Sequence, residues 1–132
     1  MSESSSMGYA FNRTRLAYLA TELRLARTHW TRFRGLMGAK PEQFADGAGL
    51  WIVPCHGVHT FAMNFPIDAL YLDSRKAVVH IEQNLQPWRM GRVSARTTSV
   101  LELPVNTLSG TGTRVGDEIE ISLAASRPAV MA

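Results

Sequence analysis

The 132-residue chain has one cysteine, two lysines and few charges. A lone cysteine excludes an internal disulfide framework and any zinc site built on several thiolates. No stretch approaches the roughly 18–20 apolar residues of a membrane-spanning helix. The first apolar stretch, Leu16–Ala20, is broken by Thr21, Glu22 and Arg24. It is shorter than the apolar run of about 7–15 residues in a secretory leader, so the cytoplasm is the expected location. Charged residues make up only 19% of the chain and apolar ones 45%, a globular balance that argues against disorder.

The scarcity of lysine leaves arginine as the dominant cation. Twelve of the 14 basic residues are arginine, and six of these fall between Arg13 and Arg34, where Glu22 is the only acid. Arg89, Arg92 and Arg96 form a second group. The net charge is only +3, well short of the strongly basic faces that bind nucleic acid, so nucleic acid is disfavoured as a partner.

What is present reads as one small domain, since domains commonly hold about 100–150 residues. Residues 1–10 are serine-rich and expected to lack structure, with the nativeness of Met1–Ser6 open; 11–124 form the domain; 125–132 fray. Trp30, Phe33 and Met37 recur at helical spacing after Thr28, and Gly38 and Pro41 end the run, which predicts one short helix near residues 28–37. Elsewhere the pattern is β. Strands are expected in the second half of 16–27, at 50–53, in a hairpin over 67–82, at 99–103 and at 118–123, with a further extended stretch at 58–61. The threonine- and glycine-rich stretch 107–117 reads as turns. The fold class is mainly β: an antiparallel sandwich or a partly closed barrel. An exposed strand edge near Leu23 would suit pairing with a second copy, and the oligomeric state stays open.

Chemistry-bearing residues concentrate between Pro54 and Asp68. Cys55, His59 and Met63 share parity on an extended backbone, but ligands four residues apart lie about 13 Å apart, too far to share one ion, so no metal is expected. Cys55 with His59 or His56 as base and Asp68 as orienter has the residue types of a nucleophilic site, without a supporting signature. Asp68 and Glu102 are carboxylates flanked by apolar residues, which calls for a partner; Arg34 or Arg89 is the expected partner of Asp68. Trp88-Arg89 after Pro87 is a recognition pair for a sugar, peptide or protein. The Gly110–Gly116 stretch lacks the lysine of a phosphate-binding loop, and no other motif signals a cofactor.

An ordered set of short segments resembles one family. These are Arg34-Gly35-Leu36-Met37, Gly49, Pro54-Cys55, Val58-His59-Thr60-Phe61, Met63, Phe65-Pro66-Ile67-Asp68, Leu72-Asp73, Leu85, Pro87-Trp88-Arg89, Leu101-Glu102-Leu103-Pro104 and Gly116-Asp117. Together they resemble the domain-of-unknown-function family 192, also called UPF0127. The resemblance implies a compact β-sandwich with jelly-roll-like topology and no established activity, substrate or cofactor. It places emphasis on Arg34, Met63, Asp68 and Glu102, with Trp88-Arg89 in the matching subgroup, and it suggests a buried charge network of Arg34, Asp68 and Glu102. The family often has glycine before the methionine, where this chain has Ala62, and Ala-Gly after the Leu-Glu-Leu-Pro run, where it has Val105-Asn106. The expected function is a binding or interaction module for a small ligand or a protein, with His59, Phe61, Met63, Trp88 and Arg89 lining its cleft. The alternative is an enzyme acting on a small substrate through Asp68, His59 or Cys55.

Overall fold

The computed structural model describes residues 8–28 and 35–123. Seven strands run in chain order: β1 (Gly8–Asn12), β2 (Ala17–Ala26), β3 (Ala48–Ile52), β4 (Ile67–Leu72), β5 (Val78–Leu85), β6 (Ser99–Pro104) and β7 (Ile119–Ser122). They form one sheet in the order β5-β4-β6-β3-β2-β1-β7. Its pairs are antiparallel except β2–β3, which are parallel. A parallel pair needs a long crossover, and β2 ends at Ala26 while β3 begins at Ala48. The sheet curls until its two ends meet. Ala77 of the turn before β5 bridges Glu118 beside β7, and Val78 N–H donates to the Asp117 carbonyl at 2.9 Å. The product is a partly closed barrel.

Each face of the curled sheet carries its own core. In β4 and β6 every residue is buried, so the alternation of side chains sends apolar groups both ways. Leu70, Leu72, Leu101 and Leu103 join Leu19, Leu23, Val78 and Ile119 in one cluster, closed by Leu108. Ile67, Ala69, Tyr71 and Val100 face the other way and pack with Leu50, Ile52, Phe44, Val58, Met63 and Phe65. The second cluster is covered by loop residues and by a 3-10 turn, Pro41–Phe44, whose Pro41 fixes the first helical position.

Several expectations shift. The β1 strand begins at Gly8, inside the segment expected to lack structure. The region around Leu23 is no free edge, because β2 lies between β3 and β1. The 58–61 stretch makes only one bridge, His59 to Met90, and turns at Phe61. The helix expected near 28–37 falls largely on residues 29–34, outside the described residues; Gly35–Gly38 form a turn, with Gly35 at φ +48. Gly35 therefore serves left-handed backbone and not close packing.

Among the described residues the α-helix is α1, Thr107–Thr111, in the stretch read as turns. Local composition misleads there because the helix is set by tertiary contacts. Leu108 is fully buried, and its N–H donates to Asp68 Oδ2 at 3.0 Å. Asn106 precedes the helix at φ +75, and Ala62 sits at φ +60. Both positions are ones where relatives were expected to carry glycine or its turn, and the left-handed backbone is the reason.

A polar knot fastens the barrel seam. Fully buried Asn12 accepts from the N–H groups of Thr14 and Arg15 and donates to Thr113 Oγ1 and to Asp117 Oδ2 at 2.9 Å. Arg15 pairs with Asp117 through two hydrogen bonds of 3.0 and 3.1 Å. Burial alone would raise the Asp117 pKa, but hydrogen bonds from Arg15, Asn12 and the Arg114 N–H prevail and hold it below the usual carboxylate value. That stabilisation is present above the unfolded-state pKa and is lost as pH falls through the lower folded value. Arg15→Ala should cost about 1–2 kcal/mol in urea unfolding at pH 7, with the difference from wild type vanishing at low pH. Equal losses at both pH values would mean that Arg15 contributes packing and not charge.

Candidate functional site

The stretch richest in reactive residues follows β3, where the chain leaves the sheet through a cis Val53-Pro54 bond. Backbone hydrogen bonds lace it to the arginine-rich loop after β5. Cys55 N–H donates to the Thr98 carbonyl at 2.9 Å, Gly91 N–H to Val58 at 2.8 Å and Ser94 N–H to His56 at 3.1 Å. Thr60 is the pivot. Its N–H donates to the Arg89 carbonyl and its own carbonyl accepts from Trp88 N–H, both at 2.8 Å. Its fully buried hydroxyl donates to the Gln86 carbonyl at 2.6 Å and accepts from Arg89 N–H at 2.8 Å. Every polar group of this threonine is thus spent on fixing one loop against the other.

That lacing turns aromatic rings outward. Trp88 has φ +62 and is 67% exposed, and Phe61 is 37% exposed. The His59 and Phe61 rings stack at 4.9 Å and 23°, and Phe61 stacks on Trp88 at 6.2 Å and 30°. His59 Nδ1 accepts from Phe61 N–H at 3.2 Å, which orients the ring. Met90, bridged to His59, is exposed beside the row, and Val93 is exposed farther along the same loop. A tryptophan placed in water on left-handed backbone is costly on both counts, and folding alone gives no reason for it.

Of the five residues expected to line a cleft, the structure brings His59, Phe61 and Trp88 into one stacked row. Arg89 is exposed beside Trp88. Met63 is 3% exposed and belongs to the core with Phe65 and Tyr71. Sequence parity placed it with His59 and Phe61, but the turn at Phe61-Ala62 breaks that parity. Met90 and Val93 were missed; their only sequence signal is that both are apolar in an otherwise polar loop.

The reactive candidates are held in other tasks. Cys55 Sγ donates to the Gly57 carbonyl at 2.8 Å, and His56 Nδ1 meets the Thr97 carbonyl at 2.6 Å. Asp68 is 1% exposed, and its partners are not arginines but backbone N–H groups: Asn84 to Oδ1 at 2.9 Å and Leu108 to Oδ2 at 3.0 Å. Both oxygens are therefore occupied in holding β5 and α1. Asp68 pairs across the sheet with Leu103, whereas Glu102 pairs with Ala69. The two carboxylates consequently point to opposite faces and share no network. Arg34, the third member expected there, lies outside the described residues.

Glu102 is 2% exposed, between Leu50 and Ala69, and its Oε1 has no hydrogen-bond partner among the described residues. Burial pushes its carboxyl up to about 8 from 4.5. Among the described residues, no group of three or more His, Cys, Asp and Glu side chains is placed to hold a metal ion, and no helix is long and apolar enough to cross a membrane.

The DUF192 family, described as an uncharacterized ACR, matches residues 11–121. A UPF0127 protein of Thermococcus sibiricus is 28% identical over 90% of this chain and 78% of its own length. Those of Pyrococcus furiosus and Pyrococcus horikoshii are 29% and 32% identical, over 83% and 75% of this chain and 94% and 86% of theirs. Two crystal structures share the fold at 21% identity. One is a protein of unknown function from Novosphingobium aromaticivorans (TM-score 0.73, covering 86% of this chain and 83% of that one). The other is a candidate transcription regulator from Sinorhizobium meliloti (TM-score 0.71, covering 86% and 91%).

Proposed function

We propose, from the premise that the chain belongs to the DUF192 family, a family of uncharacterised function, that this protein is a binding module whose contact surface is the His59–Phe61–Trp88 row. The observation that carries the reading is the exposure of Trp88 on a backbone fixed by Thr60. Rigid, half-stacked aromatic surface is what dominates binding energy at protein interfaces, because little freedom is lost on contact. The loop 86–98 adds Arg89, Arg92 and Arg96 and contains no acid. An apolar strip rimmed by arginine suits an acidic segment of a partner protein that carries its own apolar side chains. Catalysis finds less support, since Asp68 is committed to two backbone N–H groups and Cys55 Sγ to the Gly57 carbonyl.

Calorimetric titration with a peptide of alternating glutamate and phenylalanine tests the reading, with the glutamine–phenylalanine peptide and oligothymidylate as comparisons. The acidic peptide should saturate and weaken with salt. Trp88→Ala should weaken it by about 2 kcal/mol, roughly thirtyfold. Equal affinity in Trp88→Ala would remove the aromatic row from the account, and tighter binding of oligothymidylate would replace the protein partner by a nucleic acid.

A further inference from the structure

A hollow of about 290 Å³ opens between the first half of β2, the turn Asp46-Gly47 and α1. That volume lies at the lower end of small-molecule sites, which start near about 300 Å³. Its walls are fixed to one another. The Gly47 carbonyl accepts from the N–H groups of Thr21 and Glu22 at 2.8 and 2.9 Å, which clamps the turn to β2. Leu108 N–H anchors α1 on Asp68. Tyr18, in the lining, is 56% exposed but held by two ring edges, Phe11 at 4.8 Å and 63° and Tyr9 at 5.7 Å and 78°. Polar side chains share the lining: Thr21, Asp46, Asn106 and Thr107. Asn106 makes no capping hydrogen bond, and among the described residues the side chains of Thr21, Asp46 and Thr107 have no hydrogen-bond partner. Asp46 is the only charged residue among those lining the hollow. At Gly110 the wall is bare backbone. Its φ is not left-handed, a role that Gly112 takes at +71, and nothing packs within 4 Å of the point that a Cβ would occupy. Neither conformation nor close packing calls for glycine here, although it costs a helix about 1 kcal/mol against alanine.

We infer that this hollow is a binding site for a neutral pyranose sugar, with Tyr18 as the stacking surface and Asp46, Asn106 and Thr21 as hydrogen-bonding partners. A pyranose has a face of C–H groups and a rim of hydroxyls, each of them both donor and acceptor. The face suits an exposed aromatic ring that is already held in place, because little freedom is lost on contact. The rim suits a mixed set: a carboxylate that only accepts, an amide that does both and hydroxyls that do both. An anionic ligand meets a wall whose one charge is negative. A simple cation meets a single exposed acid, and such a pair contributes at most about 1 kcal/mol. A free monosaccharide and the terminal sugar of a glycan share this chemistry. No residue of the hollow belongs to the aromatic row, so this site stands or falls independently of it.

The test titrates the full chain with the methyl glycosides of glucose, galactose, mannose and xylose, and follows backbone amide shifts in nitrogen-15-labelled protein. Cyclohexanol, a ring of like size with one hydroxyl, and n-butylammonium serve as comparisons. At least one glycoside should saturate in the millimolar range, move the amides of Thr21, Asn106 and Gly110, and bind about tenfold more tightly than cyclohexanol. Tyr18→Ala should weaken it about tenfold. Gly110→Leu should abolish it with a thermal midpoint no lower than wild type, since leucine is the better helix former and nothing packs where its Cβ would lie. A trisaccharide ending in the same sugar then separates the two sources: equal affinity assigns the site to a glycan end, and lost affinity to the free sugar. No saturation by any of the four glycosides, shifts confined to other residues, equal binding of cyclohexanol, tighter binding of n-butylammonium, or full affinity in both variants would overturn the site.

Discussion

Wild-type protein should lose stability steadily between about pH 4.5 and pH 8, and Glu102→Gln should not share that loss. Burial holds the Glu102 carboxyl at about 8 in the folded state, against 4.5 for an ordinary glutamate. Below the lower value both folded and unfolded chains carry the proton, and the residue has no pH effect. Between the two values the unfolded chain releases the proton and the folded chain keeps it, so stability falls by about 1.4 kcal/mol per pH unit. Above about pH 8 the loss is complete and amounts to about 5 kcal/mol. Against a typical domain stability of about 5–15 kcal/mol, that is a large share. Other groups titrate over the same range, so the informative quantity is the difference between wild type and Glu102→Gln in urea unfolding at pH 5, 7 and 9. The difference should grow in favour of the variant as pH rises. Parallel curves would show that the Glu102 carboxyl is compensated in the folded chain.

Asp68→Ala should destabilise the protein by about 4 kcal/mol at pH 7, and Asp68→Asn by nearly as much. The carboxylate accepts one backbone N–H on each oxygen, from Asn84 near the end of β5 and from Leu108 in the first turn of α1. Alanine leaves the buried Leu108 N–H and the part-buried Asn84 N–H without a partner, at about 1–3 kcal/mol each. Asparagine keeps the shape, but its amide turns a donor towards one of those N–H groups. The helix effect adds to this, since a negative charge at a helix N-terminus is favourable. Amide exchange gives the finer check: Asn84 and Leu108 should lose protection before the strands do. A loss confined to the global transition, or below about 1 kcal/mol, would show that Asp68 is not what pins these two segments.

These two carboxylates also mark the limit of what the chain makes legible. Alternation in Leu101-Glu102-Leu103 and in Ile67-Asp68-Ala69 says that both are out of place among apolar neighbours, and both are buried. It does not say that they lie on opposite faces, because that depends on the register between β4 and β6. The partner expected for Asp68 was a side-chain cation, the residue type that sequence displays. Its actual partners are backbone N–H groups, which every residue carries and no sequence pattern singles out. The helix at Thr107–Thr111 escaped for a related reason, since Thr-Leu-Ser-Gly-Thr has no helical pattern of its own and is held by buried Leu108 and by Asp68.

The sequence by itself determined that this is a mostly β chain of the DUF192 family, with every strand but β1 close to its observed place, because apolar alternation and turn residues act over a few neighbours. It also pointed to Trp88 and Phe61. The tertiary structure decided the parallel β2–β3 pair, the meeting of the sheet's ends at Ala77 and Glu118, the stacking of His59 on Phe61 and Phe61 on Trp88, and the unpartnered Glu102 oxygen behind Gly35. All of these but the His59–Phe61 stack are relations between residues far apart in the chain. Distance along the chain carries no information about such pairs until the sheet has curled and its loops are laced together.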